Sequence, residues 1–149
     1  MKIVIIIFLI TLITCESLQD NKKGSYCNGN CPKGDCQECV CGTTNNTVDI
    51  NNWCKGAKWD QACCRCIVSI ISKGNANYMR NGTWGAYAVG LLGIQGNDGD
   101  YCGARENYDI LCNPDAHLNC AYKLYSNYYN TWKYWQEAKA CGCSVTTET

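Results

Sequence analysis

The chain lacks any charge imbalance: 13 basic and 13 acidic residues give a formal net charge of zero. Nothing in that balance points to long-range steering toward nucleic acid or an anionic membrane, so no nucleic-acid partner is expected. It also lacks a long apolar run. The longest, Ile3 to Thr14, has 12 residues, short of the roughly 20 needed to span a bilayer. Histidine occurs once, as His117. It lies at the start of a helix, far from any nucleophile signal, and is expected to face solvent. No Ser/His/Asp constellation, phosphate-binding glycine loop, internal repeat or low-complexity linker is present. Asp98-Gly99-Asp100 falls short of a calcium loop's ligand set. No metal or other cofactor is expected.

What is abundant is cysteine. Met1-Lys2 followed by the apolar run and then Cys15, Glu16 and Ser17 has the form of a secretory signal peptide over residues 1–17. A lipidated Cys15 is the competing reading, with Thr14 a poor fit before it. Removing the signal leaves 14 cysteines: Cys27, Cys31, Cys36, Cys39, Cys41, Cys54, Cys63, Cys64, Cys66, Cys102, Cys112, Cys120, Cys141 and Cys143. An even count at about a tenth of the remaining chain is the density of a disulfide-stapled extracellular or lumenal domain, of unspecified pairing. Zinc is the sharper alternative for Cys36, Cys39 and Cys41, but an oxidising compartment favours pairing. Asn45-Asn46-Thr47 and Asn81-Gly82-Thr83 are sequons that place glycans on Asn45 and Asn81, or else unmodified surface loops.

About 130 residues then remain, enough for one domain with a real core. Residues 18–26 form an N-terminal segment. Residues 27–54 read as an irregular disulfide-tied lobe without a helix of its own. Trp59, Ala62, Cys63, Cys66, Ile67 and Ile70 recur at helical spacing and predict a helix over residues 59–73, stopped by Gly74. Residues 83–95 read as a β-ribbon bent at Gly85, Gly90 and Gly93, with a turn at residues 97–100. Asn113-Pro114-Asp115 opens a second helix. A short third helix is expected over residues 131–138, with Trp132 and Trp135 in the core. Residues 144–149 read as a frayed tail. The fold class is α+β, helix-dominated, with a small β-ribbon.

Taken together, Cys64-Arg65-Cys66-Ile67-Val68, Gly74-Asn75-Ala76, Tyr87 through Ile94, Asn113 through Ala121, and Asn130-Thr131-Trp132-Lys133-Tyr134-Trp135 resemble the lysozyme-like superfamily. Within it they look most like the small cysteine-rich secreted lysozymes of microbial eukaryotes, over roughly residues 27–143. The resemblance implies a lysozyme-like domain with two carboxylates in its cleft. One is a general acid with a raised pKa; the other stabilises the oxocarbenium-like state, forms a covalent intermediate or activates water. Aligned without gaps, the acid's position holds Ile71 and the second carboxylate's holds Ala88. Leu92, Gly93 and Gln95 are further departures at the same place.

Glu106 and Asp98 are the possible substitute acids, though each also reads as a solvated loop charge, and Glu137 as an ordinary surface residue. Asn75, Trp84, Tyr87, Gln95 and Asn97 fall at cleft-side positions by the resemblance. They supply the aromatic faces and amides that hold saccharides. The expected protein is a secreted, lysozyme-like pseudoenzyme, monomeric, that binds an oligosaccharide, a peptidoglycan-like glycan or a protein partner. The competing expectations are an active muramidase with a displaced acid and a disulfide-rich cell-coat or interaction protein.

Overall fold

The computed structural model describes residues 40–42, 44–81, 87–104 and 108–146. Their order is α1 (Ile50–Cys54), α2 (Gln61–Ile71), β1 (Met79–Asn81), β2 (Tyr87–Val89), β3 (Ile94–Gln95), a 3-10 turn (Gly96–Cys102), a second (Tyr108–Cys112), α3 (Pro114–Asn127) and a third 3-10 turn (Gln136–Ala138). The strands form one antiparallel sheet in the order β1-β2-β3. The class is therefore helices plus a small sheet, tied by disulfides.

Local chemistry sets the element ends. Asp49 accepts hydrogen bonds from the N–H groups of Asn51 and Asn52 and so starts α1. This corrects the expectation of a helix-free cysteine lobe: a single side-chain cap and the burial of Trp53 and Cys54 suffice for one turn. Asp60 caps α2 through the Cys63 N–H at 2.8 Å, two residues later than the periodicity placed the start. The buried stripe of α2 is Cys63, Cys64, Ile67, Val68 and Ile71. Ile70, placed on that face by its spacing, is 50% exposed. The stripe is rotated by one residue because Cys64 and Val68, rather than Ala62 and Cys66, meet the core. Ser72 closes the helix, and Lys73 and Gly74 follow in the left-handed region.

Asn113 caps α3 through the N–H groups of Asp115 and Ala116, with Pro114 in the first turn. The expected third helix is only the 3-10 turn Gln136–Ala138, because Tyr129 and Asn130 take left-handed backbone and send the chain across the core. Trp132 and Trp135 are buried as expected. They join Trp59 and Tyr125 in one aromatic cluster, with ring centroids of successive pairs 5.1–5.2 Å apart.

Five disulfides join described residues: Cys41–Cys112, Cys54–Cys64, Cys63–Cys143, Cys66–Cys141 and Cys102–Cys120. Cys41 is thus committed to sulfur rather than to a metal. Cys27, Cys31, Cys36 and Cys39, with residues 1–26, lie outside the described residues. Among the described residues no helix is long and apolar enough to cross a membrane. Five disulfides fit a secreted or lumenal compartment.

Candidate functional site

The sheet has two faces of different character. Met79 pairs with Val89, and Val89 with Ile94; all three are fully buried. One residue along, Arg80 pairs with Ala88, and Ala88 with Gln95. Cross-strand partners share a face, so Arg80, Ala88 and Gln95 form a row on the side away from Met79, Val89 and Ile94. The first strand begins earlier than the expected ribbon. It was misplaced because three residues are too few for alternation to show in the sequence.

The floor beside this row is apolar. Gly93 adopts φ +57°, and a Cβ placed on it would lie 3.1 Å from Ile71 Cγ2 and 3.8 Å from Ala88 Cβ. Ile71, Gly93 and Ala88 therefore meet at one junction, with Ile71 5% and Ala88 2% exposed. The resemblance implied one cleft for both positions, Ile71 reaching it from a helix and Ala88 from a strand. The fold brings both to the same spot and closes it with methyl groups.

Two carboxylates flank the row, each already held by a donor. At one end Arg80 Nη2 donates to Glu137 Oε1 at 3.0 Å, and the Tyr78 hydroxyl also hydrogen-bonds Arg80. Burial pushes the Tyr78 phenol up, and the nearby Arg80 charge opposes it. Glu137 is not an ordinary surface residue: its side chain is 15% exposed, because the 3-10 turn that carries it packs against α2. At the other end the Tyr134 hydroxyl donates to Asp98 Oδ2 at 2.7 Å and accepts from the Gln95 N–H at 3.1 Å. The Tyr134 phenol is pushed well above its ordinary value, first by burial and further by Asp98, with the Gln95 N–H working against both. Asp98, in the turn Gly96–Cys102, is half-buried and tethered rather than a fully solvated charge.

The β2–β3 turn behind the junction is clamped by two side chains. The Leu92 N–H donates to His117 Nε2 at 3.0 Å, and the Trp135 indole N–H donates to the Leu92 carbonyl at 2.8 Å. His117 Nδ1 lies 3.0 Å from the Leu111 carbonyl. Both contacts are satisfied by the neutral tautomer protonated on Nδ1. Burial pushes the imidazole down to about 4, against the pull of the Leu111 carbonyl. His117 is fully buried, not solvent-facing. The missed signal is its spacing: it lies three, four and seven residues before Cys120, Ala121 and Leu124, all buried on α3.

The remaining expected residues divide. Gln95 sits in the row, and Asn97 is exposed at the start of the adjoining turn. Tyr87, one residue before Ala88, belongs by alternation to the opposite face and packs against the core. Asn75 is spent on architecture: its Oδ1 accepts from the N–H groups of Asn46 and Asn77, and its Nδ2 donates to Asn45. Asn45 itself is exposed. Trp84 and Glu106 lie outside the described residues, as does the Asn81 side chain. An open depression of about 660 Å³ lined by Lys133, Trp135, Gln136 and Lys139 lies elsewhere, on the C-terminal segment. None of the expected site residues lines it. Arg80, Glu137 and Tyr134 are the residues that sequence reasoning did not place at the site. Only the strand register and the packing of the last 3-10 turn assemble them there. Comparison with protein-family models, curated proteins and solved structures finds no match for the chain.

Proposed function

We propose that the chain is a secreted, lysozyme-like glycan-binding protein whose cleft has lost its hydrolytic chemistry. The observation that carries this reading is the Ile71–Gly93–Ala88 junction. Both positions at which the resemblance expects a carboxylate hold buried hydrocarbon, and they adjoin one another. General acid catalysis alone contributes about 10²–10⁴-fold, so an aliphatic residue at the acid's position removes most of the rate. Asp98 and Glu137 do not replace it in this reading. Each accepts a hydrogen bond from a side chain of the protein, which occupies one of its oxygens. The row of Arg80, Ala88 and Gln95, rimmed by Asn97, Tyr78 and Tyr134, retains planar amide, phenol and guanidinium groups suited to saccharide hydroxyls.

The expected result is retention of the protein on insoluble peptidoglycan or chitin without clearing of a cell-wall suspension. Ile71→Glu with Ala88→Asp should then produce detectable hydrolysis, since a carboxyl at the Ile71 position enters an apolar site that raises its pKa. Clearing by the unmutated protein at a rate comparable with an active lysozyme would sink the pseudoenzyme reading. Absence of retention on either polymer would sink the glycan reading and favour a cell-coat or interaction role.

A further inference from the structure

Charge on the Arg80–Ala88–Gln95 face is distributed unevenly. Among the described residues Arg80 is its cation, and its side chain is 38% exposed against 15% for the Glu137 that holds it. The guanidinium has five N–H donors; Glu137 takes one at Nη2, and the Tyr78 hydroxyl is also bonded to it. At the far end lies Asp98, tied to Tyr134. Among the described residues, one positive and two negative side chains therefore border the face.

An incoming carboxylate would have to compete with Glu137 for Arg80 and would meet Asp98 across the row. Glu137 is the more enclosed member of the pair. A neutral hydroxyl or acetamide faces neither obstacle: it can donate to the carboxylates and accept from the remaining guanidinium N–H groups. An ammonium group would be favoured by the surplus of negative charge.

We propose that this face takes saccharides that carry no carboxylate, and that Glu137 sets this selectivity by occupying Arg80. The proposal rests on the glycan-binding reading above. It assigns Arg80 and Glu137 a joint role as a charge filter, in which the pair is electrically closed to anionic sugars while its hydrogen-bonding capacity stays open.

Three soluble polymers of one backbone test it on the full chain with disulfides intact: glycol chitin (neutral), glycol chitosan (cationic) and carboxymethyl chitin (anionic). At low salt the wild type should bind the neutral and cationic polymers at least about tenfold more tightly than the anionic one, and added salt should narrow the gap. Glu137→Gln releases Arg80 and should raise the ratio of carboxymethyl-chitin to glycol-chitin affinity about tenfold. Circular dichroism checks that this variant is folded. If it is not, the wild-type ranking and its salt dependence still decide. Equal wild-type affinity for carboxymethyl chitin and glycol chitin at low salt overturns the charge filter and leaves the glycan reading standing. A folded Glu137→Gln protein with an unchanged ratio removes Glu137 from the role. Binding to none of the three overturns the glycan reading and the filter with it.

Discussion

Helix α2 and the three-stranded sheet meet at Ile71 and Gly93, yet they are fastened by different means. The helix is a covalent hub. Cys63, Cys64 and Cys66 tie it to Cys143, Cys54 and Cys141, so both α1 and the C-terminal segment hang from three of its residues. Residues 67–101, which include the whole sheet, contain no cysteine. The sheet is held by side chains that reach its backbone: His117 and Trp135 on Leu92, and Tyr134 on Gln95. The scaffold and the candidate site can therefore vary independently. Disulfides at residues 63, 64 and 66 hold the first half of the helix in place whatever residue occupies position 71, while the geometry of the row depends on three hydrogen bonds.

The covalent side should give the largest effect, and only when both outer bridges go. Cys63–Cys143 and Cys66–Cys141 close nearly the same loop, with sequence separations of 80 and 75. Replacing one pair with serines leaves the other to restrict the unfolded chain, so the loss should be small. Replacing both should cost about 4 kcal/mol on the chain-entropy account. Denaturant titration of the two single-bridge variants and the double variant measures this. Additive losses would show that strain or local packing, rather than loop closure, sets the contribution.

On the non-covalent side the His117 clamp should make the sheet sensitive to acid. The imidazole's value in the fold, about 4, lies below its ordinary 6.5. The unfolded chain therefore binds the extra proton in the window between them, and stability falls as pH drops from about 6.5 toward 4. The clamp's contribution is fully present above that window. At 1.36 kcal/mol per unit the loss is roughly 3 kcal/mol. Comparing unfolding of wild type and His117→Gln at pH 7, 5.5 and 4 isolates it from the carboxylates. Parallel pH profiles for the two proteins would remove His117 from the account.

Tyr134→Phe should give the smallest effect, about 1–2 kcal/mol. It leaves the Gln95 N–H without this acceptor and frees Asp98 Oδ2. Faster hydrogen exchange at Gln95, with Leu92 unchanged, would place the loss at the site end of the sheet rather than throughout it.

Much of the scaffold was legible because its signals are local. Caps such as Asn113-Pro114, the left-handed glycine after α2 and the density of cysteine each act within a few residues. The site was legible only in part. Ile71 and Ala88 were identified by position, but the row that holds Ala88 was not. Arg80 joins it through a register that depends on a three-residue strand, and Glu137 through the packing of a short 3-10 turn. Tyr87 and Asn75 show the reverse error. Both have side chains suited to sugar, but alternation turns Tyr87 toward the core and the segment at Asn45 and Asn46 consumes the Asn75 amide.

By itself, then, the sequence determined that this is a disulfide-rich α+β chain with hydrocarbon at positions 71 and 88. Residue identity and short-range spacing are sufficient for that. The tertiary structure was needed to set Gly93 between those two positions, to make His117 a buried clamp rather than a surface group, and to neutralise Arg80 with Glu137. Each of these depends on a contact 22 to 57 residues apart in the chain, and no local preference can specify a partner at that distance.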